Sequence, residues 1–101
     1  MLHAEYDWLV PADHPALAGH FPGRPIVPGV VLLDRAILFA EQRLAIPARQ
    51  WQINNAKFFS PVEPGENLTF MLQTELSGRL AFTIKTAGRE IASGSLTRSA
   101  P

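Results

Sequence analysis

The fold depends above all on residues 28–44, which read PGVVLLDRAILFAEQRL. Apolar side chains fall on nearly every side of this stretch, so we expect a central helix that is buried almost all round. Pro28 suits the first helical turn, where its missing N–H leaves no hydrogen bond unmade, and Pro47 ends the helix. A single helix that is apolar on most faces must be wrapped by a sheet.

Five strands are predicted around this helix. Residues 2–10 alternate between apolar and polar side chains, which is typical of a strand with one wet face. After the helix, further strands are predicted at residues 50–59, 67–76, 80–84 and 91–98, with turns at residues 61–65, 77–78 and 87–88. Because these turns are short, we expect the last four strands to form an antiparallel meander. The predicted fold class is α+β, with one long antiparallel sheet around a buried helix.

Length and composition limit the classes of function. The 101 residues predict a single domain, residues 1–101. Apolar residues make up 47% of the chain and charged residues 18%, which favours a folded chain over a disordered one. Nine basic residues balance nine acidic ones, so no positive field favours nucleic acid as a partner. The absence of cysteine excludes disulfides, thiolate nucleophiles and iron–sulfur clusters.

Metal sites, membrane spans and secretion are also disfavoured. The three histidines, His3, His14 and His20, lack the spacing of metal ligands, so we predict no metal and no cofactor. The N-terminus has no signal-peptide pattern, and the longest nearly apolar run, residues 26–33, is far shorter than the roughly 20 residues of a membrane span. We therefore expect a soluble, cytoplasmic protein. One small chain leaves the sheet ends and part of the helix uncovered, which favours a dimer.

The candidate site lies between the first strand and the helix. Residues 11–28 contain five prolines, and long irregular segments in compact domains are usually functional. His20 lies in this segment, where the backbone can bring an imidazole close to a ligand, although a histidine here can equally cap a carbonyl. The prolines at positions 22, 25 and 28 have the spacing of a polyproline II ligand. They run straight into the buried helix, which argues against that interpretation.

Asp34 is the second candidate. Its neighbours three and four residues away on a helix are all apolar, so its carboxylate must be paired, hydrogen-bonded or protonated. Burial would favour the protonated form, which suits a general acid. The alternative is an aspartate that meets water or an arginine at an interface. Gly29 opens the helix, where free N–H groups would favour an oxyanion, but many helices begin this way without a ligand.

Residues 19–34 resemble a family signature. They read GHFPGRPIVPGVVLLD and are similar to the motif of the β-hydroxyacyl-[acyl-carrier-protein] dehydratases, as are Lys57-Phe58 and the Pro-x-x-Pro-Gly of residues 61–65. The resemblance implies the hot-dog fold and a site between two subunits. It implies that His20 is the catalytic histidine, Asp34 the catalytic acid and Gly29 the backbone N–H donor to the thioester carbonyl.

The resemblance also implies an activity and its partners. We expect dehydration of 3-hydroxyacyl thioesters, carried by acyl carrier protein, to trans-2-enoyl thioesters, by a homodimer or by a hetero-oligomer with related hot-dog subunits. Fatty-acid or aryl-polyene-like biosynthesis is the expected setting. The expected substrate-binding residues are Phe21, Pro22, Gly23, Val30, Phe58 and Phe59. The expected carrier-docking residues are Arg24, Arg35 and Lys57.

Two departures from the family pattern bear on these expectations. Most elongation-type dehydratases have Glu at the position of Asp34, whereas the dehydratase/isomerase branch has Asp, so an added double-bond shift stays open. Arg35 stands where the family usually has a small residue, and it can narrow the acyl tunnel or place a positive charge near it. Two alternatives remain, a hot-dog acyl thioesterase and a non-catalytic hot-dog partner subunit.

Overall fold

A computed structural model of the chain describes residues 3–11, 27–43, 51–75 and 77–98. Within these ranges the elements are β1 His3–Leu9, α1 Gly29–Arg43, β2 Trp51–Phe58, β3 Asn67–Thr74, β4 Arg79–Thr86 and β5 Arg89–Arg98. The predicted helix and the five predicted strands are therefore confirmed. The predicted alternation in β1 is confirmed as well, because Tyr6 is buried while Glu5 and Asp7 on either side are exposed.

The five strands form one antiparallel sheet in the order β1-β3-β4-β5-β2. The predicted four-strand meander is wrong for its first strand, because β2 pairs with β5 at the edge of the sheet and not with β3. Residues 59–66, which we call the crossover segment, run from β2 at this edge to β3, which lies beyond β5 and β4, instead of forming a tight turn. Pro61 and Pro64 have no N–H to donate to a hairpin ladder, which disfavours a direct β2–β3 hairpin.

The other two predicted turns, at residues 77–78 and 87–88, join neighbouring strands, and the β4–β5 hairpin shows why they were predicted correctly. Ala87 and Gly88 both adopt left-handed backbone conformations, with φ of 40° and 78°. A two-residue turn of this kind matches the right-handed twist of the flanking strands, and glycine enters it without steric cost.

The core lies between the sheet and one side of α1. Phe39 stacks on Tyr6 of β1 with ring centroids 4.3 Å apart, and it meets Phe70 of β3 edge-on at 5.2 Å. Aromatic pairs of this kind contribute about 0.5–1.5 kcal/mol beyond the burial of their area. These contacts determine which side of α1 faces the sheet, and therefore which side is open to a ligand or a partner.

In the single chain α1 is not buried almost all round, and the expectation that part of the helix stays uncovered is confirmed. Val30 is 62% exposed and Leu38 is 37% exposed, and Asp34 between them is exposed as well. Because the three residues are spaced by four, they form one line along the helix, which we call the helix stripe. The sheet of a single chain covers only the opposite side of α1, so the apolar part of the stripe is left without a cover from this sheet.

The crossover segment holds both Val10, which follows β1, and Val27, which precedes α1. The N–H of Val10 donates to the carbonyl of Glu66 at 3.0 Å, and the N–H of Gly65 donates to the carbonyl of Val10 at 2.8 Å. The N–H of Val27 donates to the carbonyl of Val62 at 2.8 Å. Val10, Val27 and Val62 are all buried, so water does not compete for these bonds. The start of α1 is thereby fixed relative to the sheet.

Arg89 in turn fixes the crossover segment to the β4–β5 turn. Its Nη2 donates to the carbonyl of Pro61 at 3.1 Å and to Oε1 of Glu66 at 2.8 Å. The side chains of the ion pair are 45% and 25% exposed, so the pair contributes no more than about 1 kcal/mol to stability.

Candidate functional site

Asp34 lies in the middle of the helix stripe and lines a cavity. The cavity has a volume of about 260 Å³, and its other lining residues are Val31, Arg35 and Leu38. Of the two interpretations of Asp34, the single chain shows the exposed one, because the stripe points away from the sheet. Among the described residues, none forms a hydrogen bond or an ion pair with its carboxylate. The carboxylate is therefore available to a ligand that enters the cavity.

Gly29 begins α1 and lies directly under the ring of Phe58, the last residue of β2. A Cβ placed on Gly29 would lie 2.8 Å from Cζ and 3.0 Å from Cε1 of that ring, so no larger residue fits without moving the phenyl group. The first turn of α1 contains no acidic side chain that could cap the free amides at its start. These amides form the positive end of the helix dipole and can stabilise negative charge on a carbonyl oxygen.

Arg35 occupies the wall of the cavity beside Asp34. Its guanidinium carbon lies 4.5 Å from the centroid of the Trp8 ring in β1, a cation–π contact. Trp8 itself meets Phe70 edge-on at 6.3 Å, so its ring is tied to the core. The guanidinium is thus held in place from the side of β1.

The structure brings together some of the predicted residues and separates others. Val30 and Asp34 share the open side of α1, whereas Gly29 at the start of the helix is covered by the ring of Phe58. Lys57 precedes Phe58 in β2, and strand alternation therefore turns it to the opposite face of the sheet. The remaining predictions, His20, Phe21, Pro22, Gly23 and Arg24, lie outside the described residues.

The edge strand β2 exposes apolar side chains next to this site. Ile53 is 52% exposed and Phe58 is 49% exposed, and Phe59 just beyond the strand is 55% exposed. The indole N–H of Trp51 donates to the carboxylate of Glu41 at 3.1 Å, which joins the start of β2 to the end of α1. The helix stripe and the free edge of β2 therefore belong to the same side of the molecule.

Sequence reasoning missed Trp8 as part of the site. The alternation of β1 places Trp8 on the helix-facing side with Tyr6, which was visible in the sequence. Its contact with Arg35 depends on how α1 is rotated on the sheet, and local pattern does not determine that rotation.

Other features of the described residues do not add a second chemical site. A cavity of about 350 Å³ lies at β1, β3 and β4, and its lining includes His3, Glu5 and Met71, which alternate with the helix-facing residues. In the described parts of the chain, no three His, Asp or Glu side chains group closely enough to hold a metal ion. Nor does any helix in those parts have the length and apolar character to cross a membrane.

A family model and curated relatives both point to dehydratases. Residues 2–95 match the family model described as ApeI-like, ApeI dehydratase. The 3-hydroxyacyl-[acyl-carrier-protein] dehydratase FabZ of Haemophilus influenzae (strain PittEE) is 34% identical over 105 residues, which cover 87% of this chain and 70% of that protein. FabZ of Chlamydia trachomatis serovar D is 35% identical over 94 residues, which cover 81% of this chain and 61% of the relative.

The fold of the chain is similar to that of a solved dehydratase assembly. A chain in the structure of the dehydratase heterocomplex ApeI:P from Xenorhabdus doucetiae superposes with a TM-score of 0.89 at 23% sequence identity. The superposition covers 97% of this chain and 88% of the other. The predicted hot-dog fold is therefore confirmed.

Proposed function

The chain belongs to the ApeI-like dehydratase family, and on this premise we propose that it removes water from 3-hydroxyacyl thioesters to give trans-2-enoyl thioesters. The observation that carries the proposal is the position of Asp34, an exposed carboxylate on the helix stripe that lines a cavity. The backbone amides of Gly29 and Val30 support it, since they belong to the start of the same helix, whose first turn carries no acidic side chain.

Each proposed catalytic group has one task. His20 takes the proton from the carbon next to the thioester carbonyl, and the Gly29 N–H with the helix dipole stabilises the negative charge that develops on the carbonyl oxygen. Asp34 delivers a proton to the 3-hydroxyl as its carbon–oxygen bond breaks. Water leaves, and the electron pair of the broken C–H bond forms the new double bond.

A second subunit completes the site in this proposal. In the single chain, Val30 on the helix stripe and Ile53 and Phe58 on β2 are exposed around the site. A carboxylate that delivers protons is, however, most effective where bulk water is excluded. The unpaired backbone of an edge strand is also a ready site for another strand. We infer a homodimer or an assembly with a related hot-dog subunit, in which His20 of one subunit faces Asp34 of the other.

We expect Ile53→Glu to weaken this assembly by at least about 100-fold in Kd, because an unpaired carboxylate would be buried against the partner. Light scattering after size exclusion would then report a shift toward monomer, with loss of dehydration at the same protein concentration. Met71→Glu is the matched control, because Met71 is 40% exposed but points away from α1 on β3. An Ile53→Glu protein that assembles like wild type would place the interface elsewhere.

The acyl group is proposed to arrive on acyl carrier protein, and Lys57 is a testable contact for that acidic partner. Lys57→Glu is expected to raise KM for the carrier-bound substrate by about three- to tenfold, because charge reversal repels the carrier. KM for the same acyl group on pantetheine should change little. Arg79→Glu, at the opposite end of the sheet, serves as the control. Equal effects on both substrates would remove Lys57 from the carrier contact.

The test of the proposed function measures two reactions of the acyl thioester, loss of water and cleavage of the thioester bond. Wild-type protein is incubated with 3-hydroxyacyl carrier protein, and mass spectrometry records loss of water while a thiol reagent records cleavage of the thioester. Water loss with an intact thioester is the expected result, and separation of the enoyl isomers then reports any double-bond shift. Thiol release without water loss would indicate a thioesterase, and substrate binding without either reaction a non-catalytic subunit.

We assign this reaction to fatty-acid or aryl-polyene-like biosynthesis in the cytoplasm. The support for this setting is the family to which the chain belongs. The choice between the two settings depends on which acyl chains are turned over.

A further inference from the structure

Asp34 and Arg35 are adjacent on α1, carry opposite charges and line the same cavity of about 260 Å³. Even so, within the part of the chain that the structure describes, no nitrogen of Arg35 forms an ion pair with the carboxylate of Asp34. Opposite charges in one cavity attract each other, and the attraction grows as water is excluded. The pairing is therefore opposed by another contact of the guanidinium.

Trp8 of β1 supplies this competing contact. The centroid of its ring lies 4.5 Å from the guanidinium carbon of Arg35, and Phe70 meets the same indole edge-on at 6.3 Å. Because Phe70 is fully buried in the core, the indole is held by the sheet and offers a fixed face to the cation. Arg35 and Trp8 are both half-buried, so their contact is partly protected from water.

The position of Arg35 decides whether Asp34 is available to a ligand. A guanidinium that pairs with a carboxylate favours its charged form and occupies its oxygens. An aspartate in that state has no proton to give and no free oxygen for the hydroxyl group of a substrate. A guanidinium that stays on Trp8 leaves the carboxyl group of Asp34 open to the cavity.

We propose that Trp8 is a positioning residue, which holds Arg35 toward β1 and thereby keeps the carboxyl group of Asp34 free for the substrate. The proposal rests on the proposed function, since it takes the task of Asp34 to be the delivery of a proton. Trp8 does not itself line the cavity, so it acts through Arg35. Val31 and Leu38 complete the described lining and carry no charge, so no other described group there competes for the carboxylate.

A double-mutant cycle tests this role with a 3-hydroxyacyl pantetheine as substrate, so that contacts with a carrier protein do not enter. Trp8→Leu should lower kcat/KM for dehydration by about fivefold, because the released guanidinium pairs with Asp34. This factor corresponds to about 1 kcal/mol, the size of a partly exposed cation–π contact. In an Arg35→Met background, the same Trp8→Leu change should alter kcat/KM by no more than about twofold, because no cation is left to release.

The cycle separates release of the cation from a loss of packing around the indole. Equal losses from Trp8→Leu in both backgrounds would show that Trp8 acts through packing alone, which would overturn the inference. Arg79→Met removes an exposed arginine outside the cavity, so the fivefold loss from Trp8→Leu should persist in that background. Trp8→Phe keeps an aromatic face for the cation and should lose no more than about twofold. A Trp8→Phe protein as impaired as Trp8→Leu would contradict the role of the ring face.

Crystal structures of wild type and Trp8→Leu test the same contact without any reaction. In Trp8→Leu, a guanidinium nitrogen of Arg35 should lie within about 4 Å of a carboxylate oxygen of Asp34, whereas in wild type the guanidinium should remain on the indole. A guanidinium that stays apart from Asp34 in Trp8→Leu would overturn the inference. If wild type dehydrates no substrate, the proposed function fails, and these structures still decide whether Trp8 keeps Arg35 from Asp34.

Discussion

Replacing Asp34 by Asn is expected to lower kcat/KM for dehydration by about 10²- to 10⁴-fold, the range that a positioned general acid contributes. An amide has the shape of the carboxyl group but no acidic proton to give to the departing hydroxyl. The fold should tolerate the change, because Asp34 is exposed and bonded to no other described side chain. Initial rates of enoyl formation are the measurement, with circular dichroism and light scattering to confirm fold and assembly.

Asp7→Asn is the matched control for this substitution. Asp7 is an exposed aspartate on β1 that accepts a hydrogen bond from Thr69 at 2.8 Å, and the carbonyl of Asn can accept the same bond. Its rate should stay near that of wild type. If Asp34→Asn also keeps the wild-type rate, Asp34 is not the acid.

A mixing experiment tests whether one site uses two subunits. His20→Ala and Asp34→Asn should each be inactive alone. If the protein is a homodimer with residues from both subunits in each site, equal mixing and re-assembly make half of the dimers mixed, each with one intact site. About a quarter of wild-type activity should return. No recovery, although mixed dimers form, would show that His20 and Asp34 act within one subunit.

Gly94→Ala is expected to produce the largest loss of stability, about 3 kcal/mol in the free energy of unfolding. A Cβ at Gly94 would collide with the carbonyl oxygen of Asn55, and it would lie 3.0 Å from Cα of Ala56 and 2.9 Å from Cζ of Phe82. Two of these three atoms belong to the backbone of β2, which cannot rotate away, so β2 must separate from β5. Urea unfolding at a fixed protein concentration is the measurement.

Gly88→Ala separates this collision from the general cost of replacing a glycine. A Cβ at Gly88 meets no atom within 4 Å, but its φ of 78° is unfavourable for alanine, so a loss of about 1 kcal/mol is expected. Adding Phe82→Leu to Gly94→Ala should not restore stability, because the backbone contact remains. Equal losses for Gly94→Ala and Gly88→Ala would mean that β2 adjusts freely.

The sequence was sufficient to predict the elements but not their neighbours. The tight hairpins follow from local residues such as Gly78 and Gly88, so β3, β4 and β5 were ordered correctly. The prolines at positions 61 and 64 mark an end to β2 without indicating where the chain goes next. The partner of β2 is more than 30 residues away, in β5, and no local pattern identifies it.

The candidate site was predicted only in part, again because a local sequence pattern does not identify which elements pack together. The apolar pattern of α1 showed that most of its surface needs a cover, but it did not show which side the sheet of the same chain supplies. The sequence therefore did not identify Val30, Asp34 and Leu38 as the side that is exposed in the single chain. The contact between Arg35 and Trp8 depends on the rotation of the helix over β1, which tertiary packing decides.

The hydrogen bonds of the crossover segment bear on how this scaffold can be re-engineered and how it can diversify. Val10 and Val27 are bonded to the same short stretch of chain, so the crossover segment fixes the positions of these two residues relative to each other. Lengthening a loop with fixed ends costs little, about 0.6 kcal/mol of entropy for each doubling. The positions of Val10 and Val27 are therefore expected to be kept in variants whose intervening chain differs in length.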